Sequence, residues 1–205
     1  VFVKDGWIIN DIDNQQERLI AVDDLGLVGP HNLENVLGVI CCSLLLGVER
    51  TELINILKSF TGIEHRLEKF ATIDGVNYIN DSKATNPAAA IKGLQSFSDS
   101  VILIAGGMDK RSNFAEFATE IPNRVKSLIL LGETADEIEA EVEKLGYEQY
   151  LHVDSIEAAA QQAVKLAEAG DTVLLSPACA SWDMFSSYKE RGNLFKKAVN
   201  ELRRK

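Results

Sequence analysis

From residue 67 to the end, the sequence alternates short apolar runs with longer amphipathic segments, and this alternation limits the fold more than any other feature of the chain. "LEKFATIDGVNYIND" reads as two strands turning at Asp74-Gly75, a dipeptide suited to a tight hairpin. "PAAAIKGLQSF" follows as a helix with Pro87 in its first turn. "SVILIAGG" is then a buried strand, "NFAEFATEI" a helix and "VKSLILLG" a strand. "TADEIEAEVEKLG" is a helix in which Thr134 and Glu137 have capping-box spacing and Gly146 is placed to end it. "QYLHV" is a strand, and "SIEAAAQQAVKLAEAG" a helix ending at Gly170. "DTVLLSPA" is a strand, and after a loop "YKERGNLFKKAVNELRRK" closes the chain as a helix. Strands alternating with helices predict an α/β fold, a mostly parallel sheet with helices on both faces.

The first third reads differently. "VFVKDGWIIN" and "ERLIAVDDLGLV" are strand-like stretches separated by the polar run "DIDNQQ". The pattern changes at Gly29-Pro30: "HNLENVLGVICCSLLLGV" has the apolar density of a buried helix, and "TELINILKSF" is amphipathic, with Thr51 in place to cap it. "TGIEHRLE" is a connector, and the domain boundary is placed there, dividing the chain into 1–63 and 64–205. The opening, already inside a strand and without Met, suggests a fragment or a processed chain.

Composition excludes several classes of function. A net charge of −10 over 205 residues argues against a nucleic-acid or anionic-membrane surface. No apolar run reaches the roughly 18 residues of a membrane span. No signal peptide is read, and Cys41, Cys42 and Cys179, without CxxC spacing, are expected to be reduced, buried thiols of a cytoplasmic protein. His31, His65 and His152 are too scattered for a zinc motif.

Three strands end in chemistry. "INDSKATNP" delivers Asp81, Lys83 and Thr85 at a strand-to-helix corner; "GGMDKRS" delivers Gly106, Gly107, Asp109, Lys110 and Arg111; "SPACASWDMFSSY" follows the last strand. If the strands are parallel, all three loops lie on one sheet edge, where ligands of open α/β sheets bind. Helix N-termini and the two lysines there suit phosphate or carboxylate. Each loop has a plain structural alternative: a surface ion pair, a strand-ending glycine pair, a packed run of small residues. Their convergence favours a binding site. No GxxxxGK[ST] phosphate loop occurs in the chain.

"NDSKATNP", "GGMDKRSNF" and "LLSPACASWDMF" together resemble the Mur ligase family of peptidoglycan synthesis, in its D-glutamate-adding branch. "GPHNLENVLGV" and "GIEHRLE" resemble that family's end of the central ATPase domain and its inter-domain connector. The resemblance implies a Rossmann-like C-terminal ligase domain preceded by a remnant of the ATP-binding domain. It implies ATP and Mg²⁺ as cofactors, with UDP-N-acetylmuramoyl-L-alanine and D-glutamate as substrates. Nucleotide contacts fall on Asn35 (with Asn32 beside it), Arg66, Asp81 and Lys83. D-Glutamate contacts fall on Thr85, Lys110, Ser181, Trp182 and Tyr188, with Lys110 and Lys83 also carrying catalytic charge. Trp182 stands where a smaller aliphatic residue is common, and Tyr188 where Phe is. No metal ligand is expected in this stretch, with His65 kept as the one candidate; Cys179 is read as structural. A monomer is expected, inactive without its phosphate loop. The alternatives are another Mur-type amide ligase or a non-catalytic nucleotide-binding module.

Overall fold

The computed structural model describes residues 1–12, 15–27, 30–98, 100–108 and 110–202, and the chain divides into two compact units, Val1–Gly62 and Ile63–Lys205. In the first, β1 (Phe2–Lys4), β2 (Trp7–Asn10) and β3 (Glu17–Ala21) form an antiparallel sheet. The stretch "VFVKDGWIIN" is thus two strands. Asp5 and Gly6 turn it with φ of 50° and 75°, the two left-handed residues of a tight hairpin. Two helices cover the sheet, α1 (Pro30–Leu45) and α2 (Arg50–Ser59). Ile8 and Ile20, paired across β2 and β3, meet Val36, Ile40, Leu53 and Leu57 in the core of this unit.

Three expectations fail here. Thr51 does not cap α2: Glu49 is the N-cap, its carboxylate accepting from the Glu52 amide at 3.0 Å, and the Thr51 hydroxyl donates to it as well. The apolar α1 is not buried all round. Val36 and Ile40 face the core, while Val39, Leu45 and Leu46 are 53%, 67% and 84% exposed. Cys42 lies on that exposed side and Cys41 is half-buried, so of the three free thiols Cys179 alone is buried.

The second unit is a six-stranded sheet in the order β4-β5-β9-β6-β7-β8. The strands are β4 (Glu68–Ile73), β5 (Val76–Asn80), β6 (Val101–Ala105), β7 (Val125–Leu130), β8 (Tyr150–His152) and β9 (Thr172–Leu175). β4 is antiparallel to β5, through the Asp74-Gly75 turn; the other pairs are parallel. Successive side chains feed two cores, as strand pleating requires. Val101, Leu103 and Ala105 meet α3 (Pro87–Leu94), α4 (Ala115–Arg124) and α5 (Ala135–Glu143) on one face. Ile102 and Ile104 meet α6 (Ile156–Leu166) and α7 (Tyr188–Leu202) on the other.

The chain steps outward from β6 to β8, then returns across the opposite face to lay β9 between β5 and β6. That reversal puts the C-terminal ends of β5, β9 and β6 side by side, a topological switch point. Some element ends and caps differ from expectation. α6 stops at Leu166 rather than Gly170, because Ala167 turns extended. α4 starts at Ala115, later than Asn113. Thr134 precedes α5 but makes no cap bond, since its hydroxyl is used elsewhere.

Candidate active site

β5 runs out through Asn80 into a corner held on every side. The Asn80 carboxamide oxygen accepts from the Ser82 amide (3.1 Å), so its nitrogen is the donor, to Glu68 at 3.0 Å and to His65 Nδ1 at 2.8 Å. His65 therefore accepts at Nδ1 and carries its proton on Nε2. It is 2% exposed, and burial lowers its pKa, keeping it neutral. Its backbone is left-handed (φ 67°); its amide donates to Glu68 at 2.9 Å, and its carbonyl accepts from the Lys83 amide at 3.0 Å.

Asp81 is buried in the same corner, 5% exposed. One carboxylate oxygen accepts from the Leu67 amide (3.2 Å), the other from the Ser176 hydroxyl at the end of β9 (2.8 Å). Burial raises its pKa to about 6 against those two bonds. Arg66 and Lys83 flank it, both exposed. Thr85 is half-buried, and Asn86 caps α3 through the Ala89 amide at 2.9 Å.

The glycine pair at the end of β6 is needed by the protein's own packing. A Cβ on Gly106 (φ 110°) would lie 2.1 Å from the Leu131 carbonyl oxygen, and one on Gly107 (φ 145°) 2.3 Å from that of Ala180. Glycine is required there because neighbouring backbones approach, whether or not a ligand does. The Thr134 hydroxyl donates to the Gly107 carbonyl (3.0 Å), accepts from the Gly107 amide (3.2 Å) and lies 3.1 Å from Cys179 Sγ.

One side chain ties the β5 and β9 loops together. Arg191, on α7, is 1% exposed. Its Nε donates to the Ser82 hydroxyl and one Nη to the Ser82 carbonyl, both at 3.0 Å. The guanidinium also reaches the carbonyls of Cys179 (3.1 Å) and Ala180 (3.2 Å). Burial brings its pKa down to about 10, which leaves it charged at neutral pH. Asp183 joins the β7 loop to this frame: one oxygen accepts from the Glu133 amide at 3.2 Å, and the other is buried without a partner.

On this frame stand the remaining groups expected to meet the ligand. Ser181 is buried, its carbonyl accepting from the amides of Phe185 (2.7 Å) and Met184 (3.3 Å). Trp182 is 65% exposed, and the Lys110 ammonium lies 4.8 Å from the centre of its ring. Tyr188 opens α7, half-buried, its ring edge-on to His65 at 5.8 Å and its carbonyl accepting from the Ser82 hydroxyl. Asp109, expected in the β6 loop, and the side chain of His31 lie outside the described residues.

The Mur ligase, glutamate ligase domain family matches residues 65–179. The chain belongs to the Mur ligase family. Over 204 residues it is 46% identical to the UDP-N-acetylmuramoylalanine–D-glutamate ligase of Pelotomaculum thermopropionicum, covering 100% of this chain and 45% of that protein. It is 44% identical to the ligase of the same name from Caldicellulosiruptor bescii, covering 98% of this chain and 44% of that one. The chain thus spans a little under half the length of these curated relatives. Among solved structures it resembles a pseudomurein peptide ligase type C from Methanothermus fervidus (TM-score 0.68, 18% identity, 98% of this chain and 40% of that one). It also resembles the MurF ligase of Thermotoga maritima in complex with ADP (TM-score 0.60, 18% identity, 99% and 45%). At those identities the likeness is one of fold.

In this Mur ligase chain, Arg66, Asp81, Lys83 and Thr85 lie on the connector and the β5 loop, Lys110 on the β6 loop, and Ser181, Trp182 and Tyr188 after β9. Asn35, exposed on α1, and half-buried Asn32 belong to the first unit. Glu64, His65 and Glu68 bring potential metal-ligand atoms within 4.8 Å of one another. Lys196 already binds Glu64 (2.6 Å) and Glu68 (3.0 Å), and His65 Nδ1 is taken by Asn80. An oxygen-seeking Mg²⁺ does not fit that set. Sequence reading missed Arg191 and Gly192. An arginine beside a glycine inside a helix was the available signal: a Cβ at Gly192 would sit 2.4 Å from His65 Nδ1, so α7 reaches the connector only through glycine.

Proposed function

We propose that the chain is the C-terminal part of an ATP-dependent ligase that joins D-glutamate to UDP-N-acetylmuramoyl-L-alanine in peptidoglycan synthesis in the cytoplasm. The observation that carries this reading is identity of 44–46% along essentially the whole chain to ligases of that name. In the reaction, ATP phosphorylates the alanyl carboxylate. The amine of D-glutamate attacks the acyl phosphate, the amide bond forms, and phosphate leaves with the bonding pair of the C–O bond while the amine loses a proton. The protein's part is positioning and charge stabilisation.

Residues 1–63 are the end of the ATP-binding domain, with Asn35 and Asn32 on the adenine side. Arg66 and Lys83, exposed cations at the connector and the β5 corner, face the nucleotide phosphates. Asp81 meets the ribose by giving up part of its hold on Leu67 or Ser176. Thr85, Lys110, Ser181, the Trp182 backbone and Tyr188 receive the D-glutamate carboxylates. Mg²⁺, which shields phosphate charge when bound, is assigned to the part of the longer ligase outside this chain. Lacking a phosphate loop, the 205-residue chain is expected not to turn over. Phosphate release by the full-length ligase should require D-glutamate among a panel including L-alanine and a diamino acid. Release by the chain alone should equal the blank. A preference for another amino acid sinks the substrate reading, and turnover by the chain alone sinks the reading of its boundaries.

A further inference from the structure

Several lysines of the second unit are held by carboxylates. Lys126 is gripped by Glu168 and Asp171, each at 2.9 Å, and Lys196 by Glu64 and Glu68. Lys110 instead lies against the π face of Trp182. A carboxylate partner neutralises a lysine and must be displaced before an anion can bind. An aromatic face attracts the ammonium through its quadrupole and leaves both the charge and the N–H donors available.

The ring stands on fixed backbone. The Ala180 carbonyl accepts from the Met108 amide (2.9 Å) and from Arg191, and the Ser181 carbonyl closes the turn to Phe185. The Met108–Ala180 bridge also fastens the loop that carries Lys110. Both partners of the cation–π pair thus come from loops joined two residues away on each side. Trp182 leaves 65% of its surface in water, so the pair is open to solvent and to a ligand.

We propose that Trp182 is a positioning residue, a platform that presents the charged Lys110 ammonium to a carboxylate of the acidic amino-acid substrate. The proposal rests on the reading of Lys110 given above and adds a role for a side chain that the resemblance leaves without one. Fixing the lysine in advance spares part of the ordering cost on binding. The contact is exposed, so the gain in affinity is about two- to five-fold.

Two measurements test it. The 205-residue chain labelled with 5-fluorotryptophan has two ¹⁹F resonances, from Trp7 and Trp182, assigned with Trp182→Phe. Lys110→Met should move the Trp182 resonance and leave that of Trp7; an unmoved Trp182 resonance overturns the contact. In the full-length ligase, Trp182→Leu should raise the KM for D-glutamate about two- to five-fold, with kcat and the KM for ATP unchanged, and Trp182→Phe should restore it. A fall in kcat, a shift in ATP use or failure of Phe to rescue indicates a merely structural residue and refutes the platform. If Lys110→Ala impairs D-glutamate use while Trp182→Leu does not, the platform is wrong and the site reading survives. If neither variant changes the KM for D-glutamate, the site reading itself is wrong.

Discussion

Asp81 is a residue whose burial costs the fold something. Its carboxyl titrates at about 6 in the folded chain, against an ordinary 3.8. Between those values the folded chain holds a proton that the unfolded chain has released. The stability tied to this group is fully present below about pH 4 and is lost as pH rises through 6. The shift corresponds to a penalty on the order of 3 kcal/mol at neutral pH. Asn is nearly the same shape: its oxygen can accept from Leu67 and its nitrogen can donate to Ser176. Asp81→Asn should therefore be more stable than the parent at pH 7.5, by up to about 3 kcal/mol, and nearly equal at pH 4. Urea titrations of the second unit at the two pH values measure the gap; a gap that does not widen with pH rules out an ionised, desolvated Asp81. His65 runs the other way. Its depressed pKa makes the fold lose stability as pH falls below its ordinary 6.5, so the variant, freed of Asp81, should show the acid-side loss more cleanly.

At the scale of elements, the β6 loop shows what packing demands of two glycines. Gly107 has φ of 145° and its missing Cβ would meet a backbone carbonyl at 2.3 Å, with Arg191 at 3.2 Å on another side. Gly107→Ala should cost roughly 2–4 kcal/mol, adding backbone strain to overpacking. Gly38, within α1 and with nothing near its missing Cβ, gives the opposite sign: Gly38→Ala should stabilise the first unit by up to about 1 kcal/mol. Urea midpoints followed by circular dichroism for the first substitution, and by Trp7 fluorescence for the second, check both; two losses, or two gains, contradict the packing account. These positions also mark the limit of what the sequence made legible. Strands and helices of the second unit were readable because their apolar periods of 2 and 3.6 are strong and their turns carry Asp-Gly or Pro. The hairpin at Asp5-Gly6 was missed inside a short apolar run, and Glu49 outcompeted Thr51 as a cap because its longer side chain reaches forward to the Glu52 amide. Thr134 had capping spacing but found a better use beside Gly107. The three loops of the candidate site were visible as polar words at strand ends. Arg191 was not, because a buried arginine on a helix has no local pattern: Ser82 lies 109 residues away, and Cys179 and Ala180 11 to 12 residues away in a loop.

For the whole molecule the question is which unit can stand alone. The second unit has a sheet covered on both faces, with central strands β9 and β6 fully buried. Its connector is bound into it by His65, Leu67 and Lys196. The first unit is 62 residues long, a size at which a single core is marginal, and it leaves Val39, Leu45, Leu46 and Ile56 largely in water. Residues 63–205 expressed alone should fold and unfold in one cooperative transition, with circular dichroism and hydrogen exchange showing β6 and β9 among the last amides to open. Residues 1–62 expressed alone should bind a hydrophobic dye or self-associate, since Val39, Leu45, Leu46 and Ile56 stand largely in water. The connector sets where the cut can fall. A chain starting at residue 69 loses the Leu67 amide that holds Asp81 and the Glu68 carboxylate that holds His65, Asn80 and Lys196. It should be less stable than residues 63–205, because Asp81, Asn80 and Lys196 lose these partners. Equal stability of the two chains would show that the connector is a passive tether rather than part of the second unit's fold.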